Sequence, residues 1–515
     1  MNAAPETTAW RLARLARDPR FDGRFFVGVL TTGIYCRPVC PARTPLERNV
    51  RYFASAAAAG EAGLRPCLRC RPEVAPGSPA WSGTSATVRR ACRLIDELAT
   101  EGLTVESLAE RLGMGSRHLR RLFLAHVGAS PQAVIQTKRL HFAKQLVDGT
   151  ALPLSEVALA SGFGSIRRFN AAFRTSWGRP PSAFRRPAEN GRTDPPAFRF
   201  RLAYRPPYDW DAMLGFLERR AIPGVEVVRE GRYGRTIAVN GRAGWLEVSH
   251  DCEGHAILLE ISHPDPRAVY AIVRRAREMF DVDADPAIIG LHLAADPLLC
   301  EAVRRRPGVR ISGAWDPFEI AVRAVVGQQV SVAAARTLLG RVVWAFGTRV
   351  PSAAGGDTWL FPDARVLQHA PLERTGLTSR RAAVIRALAG AVSRGELTTG
   401  GDGTAPFTER LQSLPGFGPW TIAYVAMRTG GDPDAFPAVD LGLRRAAGLE
   451  AEALASRAER WRPWRAYAAM YLWMESPHDH RAAIHDRRQS RRTPAARAQR
   501  RGAVRAAVPE RPAAL

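Results

Sequence analysis

The stretch LPGFGPWTIAYVAMRTGGDPDAFPAVD, residues 414–440, holds the chain's most informative pattern. Leu414-Pro-Gly-Phe-Gly-Pro has the composition of a tight hairpin, because Gly416 and Gly418 can take positive φ and let backbone approach backbone. Pro419 suits the first position of a helix running through Trp420, Ile422, Val425 and Met427. Such a helix start carries unpaired N–H groups and the positive end of a dipole, which makes it a seat for phosphate. Past the helix, Asp440 interrupts an otherwise apolar run, Phe436-Pro-Ala-Val-Asp-Leu-Gly-Leu.

A lone PGxG occurs in many loops. PGxGxxT, ending on Thr421 and succeeded by a short apolar run and an Asp, is far more specific. It resembles the helix-hairpin-helix DNA glycosylases. Two further phrases narrow the resemblance to the AlkA type: Tyr204-Arg-Pro-Pro-Tyr-Asp-Trp-Asp-Ala-Met-Leu-Gly-Phe-Leu, and Phe318-Glu-Ile-Ala-Val-Arg-Ala-Val-Val-Gly-Gln-Gln-Val-Ser. It implies an enzyme that extrudes a base from the duplex, holds it in a pocket and sets a carboxylate beside the sugar. Cleaving the glycosidic bond builds positive charge on deoxyribose, and Asp440 is the candidate to stabilise it and to orient water. An Asp opening Leu-Gly-Leu-Arg-Arg also fits a helix N-cap.

By family position the base pocket uses Phe216, Trp420, Tyr424 and Trp473, whose faces suit electron-poor, often cationic alkylated purines; each alone could equally be core. Gln329, Gly416, Gly418 and Thr421 are the implied DNA contacts. Gln329 stands where the family carries a leucine that wedges into the duplex, a departure from the pattern. Relatives that also cut the strand place a Schiff-base Lys where this chain has Trp420, and residues 200–480 contain no Lys. The expected reaction is therefore monofunctional, leaving an abasic site. The four-cysteine iron–sulfur set of some relatives is not expected, because no Cys comes after Cys300.

A 515-residue chain is too long for one core and suggests roughly three to four domains. Lys plus Arg number 74 against 49 Asp plus Glu, a net charge of +25, which favours a polyanionic partner, nucleic acid before membrane. No apolar run of about 18 residues is present and MNAAPETTAW is no signal peptide, so we expect a cytoplasmic, nucleoid-associated protein whose seven Cys form no structural disulfides.

Four of those cysteines, Cys36, Cys40, Cys67 and Cys70, form a C-x3-C and a C-x2-C pair, which suits one tetrahedral Zn(II); spacing alone leaves an iron site open. The surrounding Thr31-Thr-Gly-Ile-Tyr-Cys-Arg-Pro-Val-Cys-Pro-Ala-Arg and Arg65-Pro-Cys-Leu-Arg-Cys-Arg-Pro resemble the N-terminal domain of the Ada regulatory protein. That resemblance implies repair of methyl phosphotriesters by transfer of methyl to Cys36; a purely structural ligand is the alternative. A zinc-held sulfur is a thiolate and can attack a methyl carbon. Methylation would also lower the cluster's net charge from −2 to −1, letting Arg37, Arg43, Arg48, Arg65, Arg69 and Arg71 meet a DNA backbone with less opposition.

Pro72 to Thr84 reads as a linker. Two similar helix–turn–helix units come next, at Leu103–Phe123 and Pro153–Arg174. Leu119, Leu122, Phe123, Ile166, Phe169 and Phe173 are expected inside. Arg117, Arg120, Arg121, Arg167, Arg168 and Asn170 are candidates for a major groove, though any single Arg could be a solvated surface residue. The tandem, closed by Gly178-Arg-Pro-Pro-Ser-Ala-Phe-Arg, resembles the AraC family of transcription activators, which implies an operator and RNA polymerase as partners. Cys92, Cys252 and Cys300 lack the Pro-Cys-His-Arg context of an alkylguanine acceptor.

The expected architecture is multidomain, mainly α with α+β parts. It comprises a small α/β zinc domain (1–76), an all-α AraC-type tandem (85–186), a linker (187–197), a small α+β subdomain (198–308), an all-α helix-hairpin-helix glycosylase domain (309–476) and a basic disordered tail (477–515). The expected function couples excision of alkylated purines from double-stranded DNA to methylation-switched transcription; a regulator with an inactive glycosylase half is the alternative.

Overall fold

The computed structural model describes residues 5–76, 86–185, 197–350, 358–397, 407–429 and 432–475. The tail expected at 477–515 and all but the last residue of the 187–197 linker lie outside the described residues.

The N-terminal unit is built on a four-stranded sheet in the order Val50–Phe53, Phe26–Val29, Ile34–Cys36, Arg65–Pro66. The last pairing is parallel, Ile34 beside Arg65 and Tyr35 beside Pro66, so the chain leaves both strands on the same side and the two cysteine pairs converge. The apolar content is small. One cluster gathers Ala13, Phe25 and Val27 with Cys36, Cys67 and Cys70, another Phe26, Tyr35, Phe53 and Ala59.

Six helices make the next unit: Ala86–Leu98, Val105–Arg111, Ser116–His126, Pro131–Gly149, Leu154–Ala160 and Ile166–Trp177. The 19-residue helix Pro131–Gly149 is the spine. Its first half gives Val134 and Ile135 to the core of the first helix–turn–helix, and its second half gives Phe142, Leu146 and Val147 to that of the second. The N-terminal unit docks on the same helix. Tyr35 Oη lies 3.1 Å from His141 Nε2, and Lys144 Nζ is 2.6 Å from Asp148, whose other partner is Arg71. Pro72–Val74 is a 3-10 turn whose Glu73 is buried against Arg71 and Lys144, so the stretch read as linker begins as folded structure.

A five-stranded antiparallel sheet comes next, in the order Ala197–Ala203, Ala256–Ser262, Arg242–Asp251, Arg232–Val239, Glu226–Arg229. Its core is continuous with that of the second helix–turn–helix: Phe142 stacks on Phe200 (6.2 Å between centroids, 9° between planes) and meets Tyr270 edge-on at 4.9 Å. Nothing in the sequence indicates how the two halves are placed; this shared core joins them. The C-terminal domain is helical from Pro317 onward, with one core around Pro317–Gly327 and another around Arg465–Glu475. It carries one addition to the expected all-α plan, a small hairpin of Thr348–Val350 with Thr358–Leu360. Trp359 ties this hairpin to the five-stranded sheet through Gly224 O (2.9 Å) and Thr236 Oγ1 (2.6 Å).

Candidate active site and metal centre

The hairpin turns at Gly416, whose φ of 91° and whose Cα, where a Cβ would fall 2.4 Å from Val384 Cγ2, both require glycine. Gly418 does not take positive φ. At −79° it is ordinary extended backbone preceding the helix Pro419–Arg428, because Pro419 already sets the helical start. No atom lies within 4 Å of where a Gly418 Cβ would be, so that side of the hairpin is open. Thr421 is buried rather than outward-facing: its Oγ1 accepts from Gln328 Nε2 at 3.0 Å, and the same nitrogen reaches Gly416 O at 3.0 Å. Gln328, which sequence reasoning passed over, thus bolts the hairpin to the turn between helices Pro317–Gly327 and Val332–Phe346. Its neighbour Gln329 stands exposed at a left-handed φ of 54°, an uncommon conformation for a non-glycine residue.

Asp440 caps a helix, as its sequence context allowed, and lies among the expected pocket aromatics. Its Oδ1 accepts from Leu443 N at 3.0 Å and caps the helix Leu441–Ala447, placing the carboxylate at the positive end of a dipole. Its two oxygens also receive indole N–H groups: Trp473 to Oδ1 at 2.9 Å and Trp420 to Oδ2 at 2.8 Å. Three donors fix the side chain, which stays half-buried. Gly442 makes room for this. A Cβ there would sit 3.1 Å from Asp440 Oδ1 and 3.3 Å from Trp473 Cδ1.

The four expected pocket aromatics come together. Trp420 stacks on Tyr424 (5.3 Å, 10°), Tyr424 meets Trp473 edge-on (6.1 Å), and Trp473 lies against Phe216 (6.5 Å). Their accessibility differs. Phe216 is only 1% exposed, because the Arg220 guanidinium covers its ring at 3.8 Å and Arg428 lies 4.9 Å from the centroid. Trp420 and Tyr424 remain half-buried. Arg220 and Arg428 carried no signal in the sequence, where they are two among many arginines.

In the N-terminal unit the four sulfurs lie within 4.8 Å of one another, and Cys40 Sγ is 3.9 Å from Cys67 Sγ. A tetrahedron of Zn–S bonds of about 2.3 Å has edges of about 3.8 Å, so the set fits zinc and is far too open for a disulfide. Cys36, Cys67 and Cys70 are buried and Cys40 half-buried. Arg37 N donates to Cys70 Sγ at 3.3 Å while its side chain pairs with Asp22. Arg37 and Arg71 are thus committed to acids, and only Arg43, Arg48, Arg65 and Arg69 of the six expected phosphate contacts face outward.

In the tandem unit Arg117, Arg120, Arg121, Arg167 and Arg168 are exposed and Asn170 is half-buried. Ile166, expected inside, is 47% exposed. Ser165 caps that helix through Arg168 N, which puts position 166 on its first, outward turn.

The chain matches the family models for the metal binding domain of Ada over residues 9–73, a helix-turn-helix domain over 108–187 and the AlkA N-terminal domain over 199–316. A Mycobacterium tuberculosis protein described as a probable bifunctional transcriptional activator/DNA repair enzyme AlkA is 41% identical over 473 residues, 90% of this chain and 95% of that one. The Escherichia coli DNA-3-methyladenine glycosylase 2 is 34% identical over 53% of this chain and 96% of its own. The Escherichia coli bifunctional transcriptional activator/DNA repair enzyme Ada is 38% identical over 34% of this chain and 48% of its own. No helix among the described residues is long and apolar enough to cross a membrane. With the metal-binding, helix-turn-helix and AlkA parts in one order in one chain, and a relative matched nearly end to end, this protein belongs to the AlkA-type bifunctional transcriptional activator/DNA repair enzyme family.

Proposed function

We propose that the chain is a monofunctional DNA glycosylase for alkylated purines of the 3-methyladenine type, joined to a zinc-thiolate methyl acceptor and an operator-binding activator. The observation that carries it is Asp440, held by Trp420 and Trp473 immediately behind the hairpin. In the reaction the C1′–N bond breaks with its electrons leaving on the base. Asp440 stabilises the positive sugar, water bonds to C1′, and the water's proton passes to the carboxylate or to solvent. Trp420, where strand-cutting relatives place an amine, donates an N–H to the carboxylate and offers no nucleophile. Gln329, Gly416 and Gly418 are the DNA-facing backbone and wedge positions; Thr421 serves from within.

The expected result is release of methylated purine from duplex DNA with an abasic, uncut strand. No release by well-folded protein would leave a regulator with an inactive half. Trp420→Phe and Trp473→Phe keep a ring and delete one donor each. We expect each to lower single-turnover release about tenfold with duplex affinity nearly unchanged, and a rate equal to wild type for both would remove the indoles from the mechanism.

Zinc, when bound, keeps its sulfurs as thiolates. Cys36 attacks the methyl carbon of a phosphotriester, an S–CH3 bond replaces O–CH3, and the phosphodiester leaves as an anion. Peptide mass mapping after incubation with methyl-phosphotriester DNA should find about 14 Da, one CH2 equivalent, on Cys36; the same mass on the more accessible Cys40 would reassign the acceptor. Arg117, Arg120, Arg121, Arg167, Arg168 and Asn170 read the operator, methylation of the cluster raises affinity for it, and RNA polymerase is the downstream partner in the cytoplasm. The domain limits that go with this reading are 1–76, 85–186, 198–308 and 309–476.

A further inference from the structure

Asp440 has an exposed apolar residue on each side of it in the chain. Val439 and Leu441 are each 53% exposed, while the carboxylate between them is half-buried. Single exposed aliphatic side chains are ordinary on a protein surface. These two flank one carboxylate, and both stand on fixed backbone. On the Val439 side, Ala438 N donates to Phe436 O at 3.1 Å and Asp440 N donates to Pro437 O at 2.8 Å. The Phe436 ring in turn meets Trp461 edge-on, with 5.7 Å between centroids. On the other side Leu441 opens the helix Leu441–Ala447, which the fully buried Leu443 ties to the core. Neither side chain can turn inward without undoing a turn or a helix start.

The carboxylate itself is held from within. Leu443 N and Trp473 Nε1 donate to Oδ1 and Trp420 Nε1 donates to Oδ2, which leaves the solvent-facing side for a sugar carbon to approach. Neighbouring Cα atoms lie about 3.8 Å apart, so the side chains at 439 and 441 border that approach. A deoxyribose arriving there presents C–H faces, with its charge on the phosphates at its 3′ and 5′ edges. Polar neighbours would bring water to the carboxylate and weaken its attraction for a positive sugar. Aliphatic walls displace that water and strengthen the attraction.

We propose that Val439 and Leu441 are substrate-contacting residues, an apolar pair that seats on either side of the deoxyribose whose glycosidic bond is cut and excludes bulk water from its contact with Asp440. The assignment rests on the role of Asp440 given above. It commits the exposed pair to one occupant, the sugar of the extruded nucleotide. The pair is therefore covered in the lesion complex and stays open on an undamaged duplex, whose sugars remain in register with their stacked bases.

The test uses the full-length, zinc-loaded protein and two readouts. Hydroxyl-radical footprinting with mass analysis measures the reactivity of both side chains, free, with undamaged duplex, and with a duplex carrying an abasic-site analogue. We expect the analogue duplex to protect Val439 and Leu441 and the undamaged duplex to leave them reactive. Val439→Thr and Leu441→Asn nearly keep shape and add polarity at exposed positions, and circular dichroism reports their folding. Each should lower single-turnover base release about tenfold, while Val439→Ile and Leu441→Met stay within about threefold of wild type. An analogue duplex that leaves both side chains reactive overturns the proposal, and so does wild-type release by both polar variants. Footprinting reads the seating whether or not a bond is cut. Protection of the pair without base release by wild type would therefore count against the glycosylase reading alone.

Discussion

Asp440→Asn should lower single-turnover base release by about a thousandfold while duplex affinity changes by no more than about threefold. The substitution is chosen for what it preserves. Asn caps helices as well as Asp does, so its carbonyl can still accept from Leu443 N and Trp473 Nε1. What it removes is the negative charge, and the new amide N–H2 opposes the Trp420 N–H where a carboxylate oxygen accepted at 2.8 Å. Asp440→Ala would confound this by deleting the cap as well, at a cost of about 1 kcal/mol to the helix. If the Asn variant releases base at the wild-type rate, Asp440 is a cap and an anchor for two indoles, and the catalytic role must be sought elsewhere.

The hairpin, the helix through Trp420 and Met427, and the cysteine tetrad are legible in sequence because all rest on local chemistry: a left-handed glycine, a proline at a helix start, thiolates at metal spacing. Asp440 is legible as a cap because its immediate neighbours along the chain announce a helix start, and as a catalytic candidate only through the hairpin that precedes it. The roles of Gln328, Gly442, Arg220 and Arg428 were not legible, since each depends on a contact made across the fold: Gln328 to Thr421, Gly442 to Trp473, and the two arginines over Phe216. Phe216 shows the limit well. Its family position marks it as a pocket wall, but a ring covered by a guanidinium at 3.8 Å presents little of its face to a base. Ile166 shows another, because helical periodicity assigns faces correctly only after the first turn, where the cap decides the phase.

Removal of zinc should unfold the N-terminal unit and leave base release within about twofold of wild type. The unit's own apolar content is two small clusters, and three members of one of them are the cysteines themselves. Without a metal, four thiols whose sulfurs lie within 4.8 Å would have to be kept together with nothing between them, either as repelling thiolates or as poorly packed thiols. Structural zinc contributes on the order of 10 kcal/mol in small domains, far more than those clusters can replace. The glycosylase half does not share the dependence. Phe216, Tyr424 and Trp473 pack in its own cores around Pro317–Gly327 and Arg465–Glu475, and one link it would lose is the Arg24–Asp285 ion pair. Asp285 would keep its capping bond to Ile288 N and its proximity to Arg205 at 4.0 Å. Chelation, then thiol-reagent kinetics and a base-release assay, checks both halves of the statement. Four cysteines should become fast-reacting while release persists; unchanged thiol reactivity would refute a metal-dependent fold, and loss of release would show that the zinc unit governs the glycosylase through their contact.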